Sequence, residues 1–386
     1  MPSAVILAID GLGAKHLGPY GNTWIETPAF NHLATQSLLV DGLYVPTPNR
    51  KETYQKWWQG TGETDLISTL NDNGIHTQLF TDEAELFDYP LSAKFAQQDK
   101  IEPPNGVRLA DEWDDTHCAK FFAQAIQAIE ATPKNSLLWF HSRGLHNPWD
   151  APYAYRKQFV DEDDPDASGS AQVPSLRLDA GYDPDTLHEI QCAFAGQIVL
   201  LDRCMGVLLS VIRDLAEQQG MLFILAANAG FPVGEHLVVG GEDPDLLYHE
   251  TLSVPALLRY PDGQLAMKRR GGVTEITELS DTIVQWLVNR SLKEDFGDRK
   301  FSVSRSNGEL LLRTPCWHLK FSQLTENRDE DIELSELYLK PDDQNEVNDV
   351  SDRCEGVVDA GRNFLRELLR TDVPPEVPEV LLEPLE

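Results

Sequence analysis

The sequence predicts an α/β fold: a largely parallel sheet between helices, followed by a small C-terminal α+β unit. Three observations carry this. Short apolar runs of strand length recur at residues 4–9, 75–80, 137–140, 222–226 and 254–258. Stretches of helical spacing lie between them, such as Phe121, Phe122, Ala125, Ile126 and Ile129. Strands alternating with helices need crossover connections, which build parallel sheets. Beyond residue 300 the pattern changes to short hairpin-like runs.

Taken in order, the run 4–9 ends in Asp10-Gly11 and reads as a buried strand and a turn. Thr27-Pro28 opens a helix, with Thr27 as N-cap and Pro28 at the first helical position. Leu66, Ile67 and Leu70 mark a short helix stopped at Asn73-Gly74. Residues 151–187 are polar, include the acidic run 161–166, and read as a long loop. A long amphipathic helix runs through Phe194, Ile198, Leu201, Met205, Leu208 and Ile212 and closes at Gly220. Pro255 marks the run 254–258 as an edge strand or a strand start. Ser280 can cap a helix carrying Ile283, Trp286 and Leu287. Residues 309–313 and 317–321 read as hairpin strands, and a helix follows through Phe364, Leu365 and Leu368. The Pro- and Glu-rich tail from Val373 is expected to be extended or disordered. The expected division is 1–295, 296–372 and the tail 373–386.

The 386 residues carry 32 Lys and Arg against 63 Asp and Glu, a formal charge of −31. Such a chain is repelled by phosphate backbones and anionic lipid, so neither nucleic acid nor membrane is an expected partner. With 41% hydrophobic residues, the charge does not signal disorder. No apolar run approaches the ~20 residues of a membrane helix. The five cysteines are far apart and without a Cys-x-x-Cys pair, as expected of free thiols. The start Met1-Pro2-Ser3 has no basic region or cleavage pattern, so a cytoplasmic location is expected.

In an open α/β sheet, ligands gather at the carboxyl ends of strands. Three such ends carry polar side chains: Asp10, the run from His141 to His146, and Asn228. A carboxylate there can hold a hard cation, and an Asp before Gly can equally be a turn former.

The order of these segments resembles the sulfatases of the alkaline phosphatase superfamily. "AVILAIDGLGAKHLGPYGNTWIETPAFNHLA" is similar to their opening, "LLWFHSRGLHNPWDAP" to their central strand with its His-x-Pro segment, and "GMLFILAANAGFPVGEH" to their late metal-ligand strand. "LYHETLSVPALLRYP", "LRTPCWHLK" and "ELYLKPDDQNEVNDVSD" are similar to later segments, so the resemblance runs from about residue 3 to 370. It implies an alkaline-phosphatase-like fold and metal-dependent sulfuric ester hydrolysis. That chemistry uses a divalent cation, usually calcium, a modified Cys or Ser nucleophile with an arginine beside it, and lysines and histidines on the sulfate. The cation and basic groups neutralise charge on the transferred group.

The chain departs from this pattern repeatedly. Asp10 matches the first metal-binding aspartate, but Gly11 follows where a second is common. The late ligand pair matches Asn228-Ala229, so the implied metal residues are Asp10 and Asn228. Calcium wants about six to eight oxygens, so calcium or another divalent cation is expected to bind weakly or not at all. The nucleophile segment Cys/Ser-x-Pro-x-Arg matches Pro46-Thr47-Pro48-Asn49-Arg50, which leaves Pro46 at the nucleophile position. A one-residue slip offers Thr47, which otherwise reads as a loop residue before proline. Arg50 is retained, as anion binder or as the partner of a carboxylate. The expected lysine and histidine after residues 75–80 are replaced by Thr81-Asp82-Glu83, and a later lysine by Gly241. His146 matches the family histidine, and His236 matches a histidine that is more often structural. Trp57-Trp58 reads as core or lid packing.

The candidate catalytic residues are therefore Thr47, Arg50 and His146. The expected function is a catalytically degenerate sulfatase-family protein with a binding or regulatory role, its partner a small anionic ester or a protein, with oligomerisation open. The alternative is a divergent metal-dependent hydrolase of sulfate or phosphate esters.

Overall fold

Residues 3–102, 106–131, 134–241, 245–323, 332–371 and 373–384 are described in the computed structural model. The first apolar run forms β1 (Ser3–Ile9), buried at every position. There follow α1 (Pro28–Thr35), β2 (Leu38–Tyr44), α2 (Arg50–Gln59), α3 (Leu66–Asp72), β3 (His76–Thr81), β4 (Gln97–Lys100), α4 (His117–Ala131) and β5 (Ser136–Ser142). The next elements are α5 (Tyr153–Lys157), β6 (Ser175–Arg177), α6 (Pro184–Gln219), β7 (Met221–Ala226), β8 (Val238–Gly240), α7 (His249–Leu252) and β9 (Ser253–Arg259). Two short strands, β10 (Arg269–Arg270) and β11 (Thr274–Glu275), precede α8 (Thr277–Val284). The C-terminal part holds β12 (Ser302–Ser306), β13 (Glu309–Arg313), β14 (Trp317–Gln323), β15 (Ile332–Leu339) and α9 (Glu355–Arg370).

Nine strands make the central sheet, in the order β10-β2-β9-β7-β1-β5-β3-β4, with β11 on β2. β1 pairs in parallel with β5 and β7, and β3 in parallel with β4 and β5. β9 runs antiparallel to both neighbours, β2 and β7. The largely parallel sheet between helices is thus present. β1, β5, β7 and β9 are buried along their whole length, as strands covered by helices on both faces must be. A second, antiparallel sheet has the order β12-β13-β14-β15. The alternation of β13 splits its side chains between two cores: Leu310 and Leu312 join Trp317, Phe321 and Phe364, whereas Leu311 packs into the central core.

Several local expectations are corrected. Thr27 does not cap α1; its hydroxyl accepts from Gly18 N–H, and the Asp202 carboxylate of α6 accepts from the Ala29 and Phe30 amides instead. The tertiary carboxylate satisfies the helix start better than the local hydroxyl. Residues 151–187 are not one long loop, for α5, β6 and the start of α6 lie within them. The buried Arg156 guanidinium organises this stretch by donating to the Ser168 and Ser170 carbonyls at 2.6 and 2.7 Å. Pro255 is not on an edge. It sits in an interior strand, opposite the irregularity between Val40 and Leu43 of β2, where no ladder hydrogen bond is asked of it. Ser280 lies inside α8 and donates its hydroxyl to the Trp57 carbonyl. The tail is docked: Val377 and Leu381 are buried, and Trp317 Nε1 donates to the Glu383 carbonyl at 2.9 Å. Residues 372, 385 and 386 lie outside the described residues. One helical stretch, Pro184–Arg213 in α6, is long and apolar enough to span a membrane, contrary to expectation, and it is mostly buried inside the fold. All five cysteines are free thiols.

Candidate functional site

Asp10 follows β1 at the carboxyl end of the sheet and is 1% exposed. Sheet register brings its first partner. His141 pairs with Ala8 on one side and Thr81 on the other. The small Ala8 leaves the imidazole room to reach the residue two further along β1. His141 Nε2 donates to Asp10 Oδ2 at 2.9 Å, and Nδ1 lies 2.6 Å from the Thr81 hydroxyl.

The helix α2 supplies the other partners. Asn49 caps it by accepting from Glu52 N–H at 3.0 Å. Trp57 and Trp58 anchor it in the core, with ring centroids 4.7 and 5.8 Å from Trp139. Arg50 and Tyr54, one helical turn apart, then face the same carboxylate. The Tyr54 hydroxyl donates to Asp10 Oδ1 at 3.1 Å, and an Arg50 guanidinium nitrogen stands 3.6 Å from Oδ2. Arg50 also lies 3.7 Å from Glu83, which Arg143 approaches to 3.3 Å. Burial pushes the Asp10 carboxyl up, but His141 and Arg50 outweigh it and hold the group below its ordinary value. The adjacent Asp82 is raised by burial, although the Arg143 amide and the Asn147 carboxamide both donate to it.

A sharp turn closes the site. The Leu145 amide donates to the Asp10 carbonyl at 3.0 Å. Gly144 permits this approach: its φ is +53°, and a Cβ there would sit 2.3 Å from that carbonyl oxygen. The turn sets His146 beside Gly11, whose added Cβ would stand 3.5 Å from His146 Nε2. Asn228 lies two residues beyond Ala226, which pairs with Ala8. It therefore occupies the register position beside Asp10. Its side chain is fully buried, and neither carboxamide atom has a hydrogen-bond partner among the described residues.

The structure thus gathers Asp10, Arg50 and His146, with Asn228 alongside in register. It does not bring Thr47 there. Thr47 Oγ1 accepts from Asn49 N–H, its carbonyl accepts from the Thr53 hydroxyl, and it lines a separate hollow of about 300 Å³ shared with Arg305 and Asp245. Thr47 is a turn residue just before α2, with its side chain engaged in that turn. Sequence reasoning missed Tyr54 and Thr81 and did not pair His141 with Asp10. The only available signal was the Arg50–Tyr54 helical spacing.

A divalent cation does not fit this arrangement. It would have the Asp10 carboxylate and the Asn228 carboxamide, while the adjacent Asp82 carboxylate already accepts from the Arg143 amide and the Asn147 carboxamide, against the six to eight oxygens calcium prefers. Both Asp10 oxygens already accept from protein donors, and a guanidinium stands where a cation would meet charge repulsion.

A cleft of about 980 Å³ lies between residues 15–25, α6, the turn 233–236 and residues 336–347; Lys15, Trp24, His236, Tyr248, Tyr338 and Glu346 line it. Asp10 does not reach it. A chain of rings intervenes: His146 against Phe231 at 5.5 Å, Phe231 stacked on Phe194 at 5.8 Å, and Phe194 against His16 at 4.5 Å.

Comparison with known proteins agrees with this fold. Among solved structures, the chain is similar to the phosphonate monoester hydrolase of Agrobacterium radiobacter, at 12% identity and TM-score 0.70, covering 96% of this chain and 95% of the other. A protein solved in complex with its substrate, D-glucosamine-2-N,6-O-disulfate, matches at 13% identity and TM-score 0.72, covering 97% and 99%. A 2-O GAG sulfatase matches at 15% identity and TM-score 0.70, covering 96% and 92%. No curated protein matches by sequence. The family model described as Sulfatase matches residues 2–289. The chain belongs to the sulfatase family.

Proposed function

We propose that this protein keeps the sulfatase fold for binding and does not carry out the hydrolysis of sulfuric esters. One observation supports this above the rest. Both oxygens of the Asp10 carboxylate are taken by the Tyr54 hydroxyl and the His141 ring, with Arg50 beside them. The charge that would recruit a cation is neutralised from within. Pro46 at the nucleophile position points the same way, because its ring offers no nucleophilic atom. In this reading the cleft takes the ligand, a small anionic ester or a segment of a protein partner, in a cytoplasmic setting.

A second reading, a divergent metal-dependent hydrolase of sulfate or phosphate esters, is favoured by Asn228. A buried carboxamide without partners beside Asp10 is the kind of group that an ion or water would satisfy. That reading requires Arg50 to leave Asp10. The two are separated by assaying the purified protein on p-nitrophenyl sulfate, p-nitrophenyl phosphate and a phosphonate monoester with calcium, magnesium and manganese, beside Asp10→Ala. The expected result is no turnover above the Asp10→Ala background. Turnover that depends on Asp10 and on the added cation establishes the second reading instead.

A further inference from the structure

His236 lies on the wall of the large cleft, in the turn between β7 and β8, with φ +48°. Its Nδ1 is 2.7 Å from Glu250 Oε1, and its Nε2 is 3.0 Å from the main-chain carbonyl of Glu346. Its ring lies flat on Tyr248, with centroids 3.6 Å apart and planes within 7°. The stacking holds the ring plane, and the two hydrogen bonds set the edge that each nitrogen faces.

Both nitrogens need a proton in this geometry. A carbonyl oxygen only accepts, and a carboxylate only accepts. The bonds are satisfied when the His236–Glu250 pair holds one proton beyond the neutral ring and the ionised carboxyl. Whether that proton sits on Nδ1 or on Glu250, Nε2–H remains to donate to Glu346. When the proton leaves, one N–H serves two acceptors, and the charged carboxylate takes it because a charge-assisted bond is the stronger. The bond lost is the one to Glu346.

We infer that the protonated His236–Glu250 pair is a pH-sensitive strap that ties the turn after β7 to residues 344–347, which line the same cleft. The inference is independent of what the cleft binds. Its surroundings favour a single broken link over general unfolding. Glu235 of the same turn is ion-paired with Lys15, and the Tyr248 hydroxyl donates to Glu336 of β15, which Lys320 approaches to 3.9 Å. The Glu346 carboxylate is held separately, by His318 Nδ1 at 2.5 Å, Lys340 at 3.2 Å and the His249 amide at 2.8 Å. Burial opposes charge on His236, but Glu250 and Glu346 outweigh it and raise the ring above the usual histidine value. The strap is therefore closed below the unperturbed value and opens as pH rises through the folded one.

Two measurements on the full chain test this. In ¹⁵N-histidine NMR, with the His236 signals identified by their absence in His236→Gln, Nε2 should be protonated on the acid side of the transition and lose its proton at an inflection above ~6.5. An inflection at or below that value, or a proton lost from Nδ1 while Nε2 keeps its own, overturns the inference. In hydrogen exchange corrected for intrinsic rates, protection of residues 343–347 should fall roughly tenfold across the same transition, the worth of one charge-assisted bond. In His236→Gln it should be low and flat. An unchanged wild-type protection ratio, or the same fall in the variant, overturns the inference. Should His236→Gln not fold, Glu250→Gln identifies the His236 signals by shifting their transition.

Discussion

Asp10 is where the chemistry of the fold would start, and here it is enclosed by its own chain. Removing its charge should be costly. Asp10→Asn removes the fully buried charge that Arg50 faces and leaves it only Glu83, 3.7 Å away, and loss of one member of a buried pair typically costs about 3–5 kcal/mol. The pH dependence gives a second readout. The folded carboxyl lies below its ordinary value, so its stabilisation is full above the unfolded value of ~3.9 and is lost as pH falls through the folded one. Urea unfolding as a function of pH should show an acid limb that is shallower in Asp10→Asn than in the wild type. An equally steep limb would mean that Asp10 is not held this way. How much of this was legible depends on the residue. Asp10, Arg50, His146 and Asn228 could be read because each sits in a segment with a recognisable neighbourhood. Tyr54 and Thr81 could not, because their roles exist only once a helix is docked and a strand register is set. Thr47 shows the opposite failure. A reactive side chain near the right motif is taken up by an ordinary hydrogen bond, from the Asn49 amide in the turn before α2.

Elements were legible where the pattern is local and illegible where a distant residue wins. The buried strands and the helix through Phe121 and Ile129 follow from periodicity alone. The cap of α1 does not, because Asp202 arrives from a helix far along the chain. Nor does the interior placement of Pro255, which depends on the irregularity in β2. The turn from Gly144 to His146 joins β5 to the residue after β1 and leaves no room for a side chain. Gly144→Ala combines an unfavourable positive φ with a Cβ 2.6 Å from Ile9 Cγ2. The two effects together should destabilise the protein by about 2–4 kcal/mol, measured by denaturant unfolding. A loss below ~1 kcal/mol would show that the turn can relax away from Asp10.

Across the whole molecule, the charge of −31 is a standing self-repulsion. Raising NaCl from about 0.01 M to about 0.15 M shortens the screening length from about 30 to about 8 Å. The melting temperature should rise over that interval, and a fall would mean that the ion pairs contribute more than the repulsion costs. The folded whole also disposes of the tail, which reads as extended in sequence yet covers Trp317, because its spaced apolar residues meet a surface that exists only after the second sheet forms. The placement of β1 has a consequence for biosynthesis. Both of its neighbours come much later, at Ser136–Ser142 and Met221–Ala226. Contacts between residues so far apart in sequence form slowly. On the ribosome, this strand, apolar from Ala4 to Ile9, therefore emerges with neither edge covered, and it stays half-paired until β7 has been translated. Nascent chains halted before that point present an open strand edge to one another, the kind of surface that aggregates and that chaperones hold.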